Sequence, residues 1–92
     1  MTDFLRYATQ KQAEIVALIC RLVECESPSD APGAVDRFTG LLTAEAQGLA
    51  AAEFFSSDGR GKHLRLEFAL PGEQKEGQIL VLGHADTVWP LG

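Results

Sequence analysis

Between Gln78 and Gly83 stand four consecutive apolar residues, Ile79-Leu80-Val81-Leu82, and no other stretch of the chain constrains its fold as much. In a strand with one wet face, apolar and polar residues alternate, because successive side chains point to opposite faces. A run without alternation predicts a strand covered on both faces, the position of a central strand in an α/β sheet. Such a sheet needs helices against it. Asp3 to about Glu24 carries Leu5, Ala8, Ile15, Ile19 and Leu22 at helical spacing, widened by Val16, Leu18 and Val23,. One long helix is expected there, capped by Thr2 or Asp3 and packed by its apolar stripe against the core. The opposite side holds Gln10, Lys11, Glu14 and Arg21, too few cations for a membrane-surface face,.

The segment Glu26-Ser27-Pro28-Ser29-Asp30-Ala31-Pro32-Gly33 breaks this pattern. Ser29 or Asp30 is expected to cap a second helix with Pro32 in its first turn. That helix runs to about Gln47, carrying Val35, Phe38 and Leu42, and Gly48 then stands where a helix end commonly takes a left-handed residue,. Ala51 to Ser56 reads as a short strand, and Asp58-Gly59-Arg60-Gly61-Lys62 as the turn that returns it. His63 to Phe68 alternates strictly, with Leu64, Leu66 and Phe68 on one face and His63, Arg65 and Glu67 on the other,. Pro71 to Gly77 is a polar loop ahead of the apolar run. The expected class is therefore α/β, a mixed sheet flanked by helices.

Composition narrows the function. The formal net charge of −5 argues against a nucleic-acid partner, whose phosphates require a basic surface,. No leader segment is apparent at Met1-Thr2-Asp3-Phe4-Leu5-Arg6, and the apolar run is far too short to span a bilayer,. Cys20 and Cys25 stand five apart, which on a helix turns them roughly 140° from each other,. They read as free thiols of a reducing, cytoplasmic compartment, without a disulfide or shared metal.

The chemistry concentrates in Gly83-His84-Ala85-Asp86-Thr87-Val88-Trp89-Pro90-Leu91-Gly92. His84 falls at the C-terminal end of the expected strand, where open α/β sheets form their ligand crevices. A neutral imidazole is a good zinc ligand. A ligating histidine donates its other ring N–H to a carboxylate or carbonyl, which Asp86 could supply if the backbone bends after the strand. The alternative reading is a strand-end histidine satisfied by a backbone partner, with Asp86 starting an Asx-type bend. Gly83 would let the chain run close to whatever lies in the crevice. His63 shares a wet strand face with Arg65 and Glu67 and reads as a surface histidine. Glu24, Glu26 and Asp30 read as a solvated loop, and Phe54-Phe55 as core and rim. Trp89 either lines the crevice or packs against further parts of a domain.

The string Ile79-Leu80-Val81-Leu82-Gly83-His84-Ala85-Asp86-Thr87-Val88-Trp89-Pro90-Leu91-Gly92 resembles the first zinc-site motif of the aminoacylase and glutamate carboxypeptidase family of metallopeptidases. Glu24-Cys25-Glu26-Ser27-Pro28-Ser29-Asp30 resembles that family's link between its first two helices. Asp86-Thr87-Val88 followed by Trp89-Pro90-Leu91-Gly92 looks closest to the glutamate carboxypeptidase branch. The resemblance implies an incomplete N-terminal portion of a zinc-peptidase catalytic domain over residues 1–92. It implies His84 as a ligand of one zinc in a two-zinc site, and Asp86 as the catalytic-site aspartate that orients it. It further implies hydrolysis of an amide or peptide bond, carboxypeptidase-like, on a peptide or N-acyl amino acid, and homodimerisation through a further domain. The family's remaining ligands and its general base have no counterpart after Asp86, so the chain itself is expected to be inactive. The alternative is a non-catalytic interaction module or a decayed enzyme relic.

Overall fold

The computed structural model describes residues 3–69, 71–72 and 76–92. Its elements are α1 (Asp3–Gln10), α2 (Gln12–Glu24), α3 (Pro32–Glu45), β1 (Ala50–Phe55) and β2 (His63–Phe68), a small mixture of helix and antiparallel strand. The single long helix expected from Asp3 to Glu24 is interrupted at Lys11, although hydrogen bonding runs through the break. The Lys11 N–H reaches Tyr7 O at 3.0 Å and Ile15 N–H reaches Lys11 O at 2.9 Å. One turn upstream, the Thr9 hydroxyl donates to Leu5 O at 2.8 Å, a back-bond of the kind that bends helices,. Asp3 lies inside α1, and Thr2, the other expected cap, lies outside the described residues.

The apolar stripe of this helical pair does not pack as expected. Leu5, Ile15, Val16, Ile19 and Val23 are all exposed, while Leu18 and Leu22 are half-buried. The buried residues lie around α3 and the segment before it: Ala34, Val35 and Ala46 among apolar residues, Ser27 and Thr39 among polar ones. Pro32 opens α3 as expected, since its fixed φ suits the first turn and the missing N–H costs nothing there,. Neither Ser29 nor Asp30 caps this helix. Ala31 takes the cap position without a side-chain bond, and its carbonyl receives Ala34 N–H and Val35 N–H. At the other end Gly48 adopts φ +81°, the left-handed conformation that a helix exit commonly requires,.

β1 and β2 pair antiparallel from Ala50↔Phe68 to Phe55↔His63. One face gathers Ala52, Leu66, Phe54 and Leu64; on the other, Arg65 bonds Glu53 across the pair at 2.8 Å. The returning turn meets α3 closely. Lys62 N–H donates to Asp36 Oδ1 at 2.8 Å, and Gly61 presses so near Val35 that a Cβ on it would lie 2.3 Å from Val35 Cγ1. An exposed Arg21–Glu45 ion pair links α2 to α3.

The largest departure concerns Ile79–Leu82. No strand forms there, and these side chains are 83–91% exposed, so the central strand covered on both faces is absent from the described residues. The physical reason is a shortage of neighbours: a strand needs a partner for its main-chain groups, and the exposure of these four side chains shows that no described segment covers them,. The sheet is accordingly a two-stranded antiparallel hairpin and not a mixed sheet. Parallel pairing occurs outside it, as an isolated bridge between Pro28 and Thr87.

Candidate functional site

That bridge builds the candidate site. Ser27-Pro28-Ser29 runs extended beside Ala85-Asp86-Thr87, with Thr87 N–H donating to Ser27 O at 2.9 Å and Ser29 N–H to Thr87 O at 2.8 Å. Proline fits this position because its absent N–H leaves the ladder intact on either side. Side chains at alternate positions of an extended segment share a face, so both serine hydroxyls turn to the same neighbour. Ser27 donates to Ala85 O at 2.5 Å, and Ser29 donates to Asp86 Oδ2 at 2.6 Å. Ser29 Oγ also lies 3.0 Å from Thr87 O. One hydroxyl proton serves one strong bond, and the charged carboxylate is the better acceptor.

His84 and Asp86 are in contact, as the sequence led us to expect, but the closest acceptor is on the main chain. His84 Nδ1 lies 2.8 Å from the Asp86 carbonyl oxygen and 3.4 Å from Asp86 Oδ1. A carbonyl oxygen only accepts, so Nδ1 carries the proton, and the neutral ring keeps its lone pair on Nε2. The imidazole is 84% exposed, which leaves Nε2 open to a ligand. The Ser29 hydroxyl holds the Asp86 carboxyl below the usual aspartate range, its own main-chain amide adds to this, and His84 contributes further. Partial burial acts in the opposite direction and is outweighed.

A cleft of about 410 Å³ adjoins the segment, lined by His84, Ala85, Asp86 and Thr87 on one side. Its other walls are Leu22, Val23, Cys25, Glu26, Ser27, Phe38, Trp89 and Pro90. Trp89 thus lines the crevice, one of the two positions open to it from sequence. Among the described residues no heavy atom lies within 4 Å of where a Cβ on Gly83 would stand. His63 stands on the hairpin at Phe55↔His63, exposed and outside the cleft lining. Cys20 and Cys25 are free.

His84 fits a metal by its donor chemistry: a neutral imidazole, held through Nδ1, with Nε2 accessible. The rest of a donor set is not assembled. Among the described residues no group of three or more His, Cys, Asp or Glu side chains comes together to hold an ion. No helix of the described residues is long and apolar enough to cross a membrane.

Sequence reasoning missed the part played by Ser27 and Ser29. The available signal was the pair of hydroxyls two apart around a proline, a pattern suited to an extended segment with one polar face. Glu26, taken for a solvated loop residue, accepts Gly92 N–H at 3.1 and 3.2 Å through its two carboxylate oxygens. Compared with family models, curated proteins and solved structures, the chain matches none.

Proposed function

We propose that this chain carries the first zinc-ligand segment of an amide- or peptide-hydrolysing enzyme, with His84 as ligand through Nε2 and Asp86 as the residue that orients it. The observation that carries the reading is the 2.8 Å contact of His84 Nδ1 with Asp86 O, which leaves Nε2 as the free, exposed donor. The similarity of Gly83-His84-Ala85-Asp86-Thr87-Val88 to the zinc motif of the aminoacylase and glutamate carboxypeptidase family supports it.

Zinc in such enzymes polarises the scissile carbonyl and activates water. His84 holds one coordination position, and Asp86 fixes its tautomer. The cleft walls Leu22, Val23, Phe38 and Trp89 present apolar surface to a peptide or N-acyl amino acid beside the ligand. Among the described residues no Lys or Arg lines that cleft, so recognition of a substrate carboxylate, as glutamate would need, falls to residues other than these.

Zinc titration of the chain, followed through the ring nitrogen signals of His84 and His63, tests the proposal. One imidazole falls short of the three or four protein ligands of biological zinc sites, so binding is expected to be weak. It should nonetheless shift His84 Nε2 and disappear in His84→Ala. Zinc binding that survives His84→Ala unchanged rejects the assignment. The extent of exposed apolar surface favours one other reading, an interaction module that binds no metal. Its signature is a His84 signal that zinc leaves unmoved.

A further inference from the structure

We propose that Ser27-Pro28-Ser29 is the positioning element of the site, holding both groups that face His84 Nδ1, with Ser29 its decisive residue. The inference rests on the reading of His84 as a ligand and goes beyond it by assigning what orients the orienting aspartate.

The peptide unit between Asp86 and Thr87 carries one contact at each end. That unit is planar and trans, so its N–H and C=O point in opposite directions,. The N–H of Thr87 is bound by Ser27 O at 2.9 Å, while the C=O of Asp86 meets His84 Nδ1 at 2.8 Å. Fixing the N–H fixes the plane, and the plane aims the carbonyl at the imidazole. Ser29 completes the arrangement from both of its ends. Its N–H binds Thr87 O at 2.8 Å, and its hydroxyl binds Asp86 Oδ2 at 2.6 Å. The carboxylate is thereby held by one oxygen, and the other, Oδ1, stays 3.4 Å from Nδ1. The segment is anchored well enough to act as a reference: Ser27 and Pro28 are buried, and Ala31 N–H closes a turn onto Pro28 O at 3.0 Å. Ser29 does not touch the ligand nitrogen and is not itself part of the cleft lining, so it acts through Asp86 and is a positioning residue.

The experiment is nitrogen-15 NMR of the histidine rings in the 92-residue chain at alkaline pH, where the rings are neutral, with zinc alone as the metal probe. In the unsubstituted chain His84 should carry its proton on Nδ1. Ser29→Ala leaves Asp86 O on Nδ1 but frees the carboxylate, so the preference should fall without disappearing, and zinc binding at His84 should weaken about 10-fold, the low end of the range for outer-shell partners,. Ser29→Thr keeps a hydroxyl and should restore both. Ser27→Ala removes the hydroxyl on Ala85 O but keeps the carbonyl on Thr87, so stability should fall with the tautomer retained. An unchanged tautomer and zinc midpoint in Ser29→Ala overturns the proposal, as does a Ser29→Thr chain that behaves like Ser29→Ala. Should Ser29→Ala lose its helical circular dichroism, the unsubstituted chain decides. There the Ser29 hydroxyl proton should exchange slowly with water, and exchange as fast as in free serine overturns the contact. Zinc that fails to move His84 in the unsubstituted chain removes the metal reading alone, because the tautomer is read without metal.

Discussion

At the scale of single residues, Asp86 works through two groups, and they separate in a mutant. Asp86→Asn leaves the main-chain carbonyl on His84 Nδ1 in place and removes only the charge 3.4 Å away and the strong acceptor of Ser29. Zinc binding at His84 should therefore weaken by about 10-fold, near the bottom of the 10–100-fold range for such partners. His84→Ala, which deletes the ligand atom, should abolish it, and the two are compared in one titration. The same variant isolates a pH effect. The Asp86 carboxyl is held below its unfolded value of about 3.9, chiefly by the Ser29 hydroxyl,. Between the two values the unfolded state binds more protons, so stability rises with pH in that window. The contribution is fully present above about pH 4 and fades as pH falls through the lower, folded value. Denaturant midpoints measured from pH 6 down to pH 2.5 should decline more steeply for the unsubstituted chain than for Asp86→Asn. Parallel curves would show that the Ser29–Asp86 bond does not persist in solution.

At the scale of elements, the hairpin and α3 hold each other at one point, and two glycines in the same region test it with opposite signs. A Cβ on Gly61 would fall 2.3 Å from Val35 Cγ1 and 2.5 Å from Val35 Cβ. Val35 is buried and β-branched on a helix, so it has little rotamer freedom with which to give way,. Gly61→Ala should cost about 1–3 kcal/mol, the usual penalty of overpacking. Gly40, inside α3, has nothing within 4 Å of its Cβ position, and Gly40→Ala should gain about 1 kcal/mol in helix propensity,. Denaturant midpoints that move in the same direction would contradict this packing. The hairpin was readable from sequence because it is local. Strict alternation at His63–Phe68 and the glycine-containing turn fixed which residues face which, and Leu64 and Leu66 do share a face. The second helix was readable for the same reason, from Pro32 to Gly48. The bridge between Pro28 and Thr87 was not, since it joins segments far apart in sequence through main-chain atoms that every residue type carries. His84 and Asp86 could be paired from their spacing of two, whereas Ser29 could not be assigned to Asp86 without the fold. The run Ile79–Leu82 misled in the other direction: apolarity states what a segment needs around it, and the described residues do not provide it.

For the whole molecule that shortage can be measured. The chain exposes 7979 Å², whereas a folded monomer of 9.9 kDa exposes about 5,200 Å²,. Its radius of gyration is 15.7 Å against about 12.3 Å for a domain of this length,. The surplus of about 2,800 Å² on this one chain exceeds the roughly 1,000–2,500 Å² that each partner gives up in an obligate interface,. It includes Phe4, Val88 and Trp89, and with them Ile79, Leu80, Val81 and Leu82, which sequence alone assigned to a strand covered on both faces. Composition concealed this, because 46% hydrophobic residues is an ordinary value whether or not those residues find one another,. A chain in this state lowers its free energy by covering that surface with other protein. The 92-residue chain by itself should therefore associate at micromolar concentration, and it should melt at low temperature, below the usual mesophilic range,. Sedimentation across a concentration series reads the first, and circular dichroism with heating reads the second. A concentration-independent 9.9 kDa monomer with one cooperative transition above about 65 °C, the top of the mesophilic range, would require a more compact arrangement of α1, α2 and the 76–92 segment than the one described,.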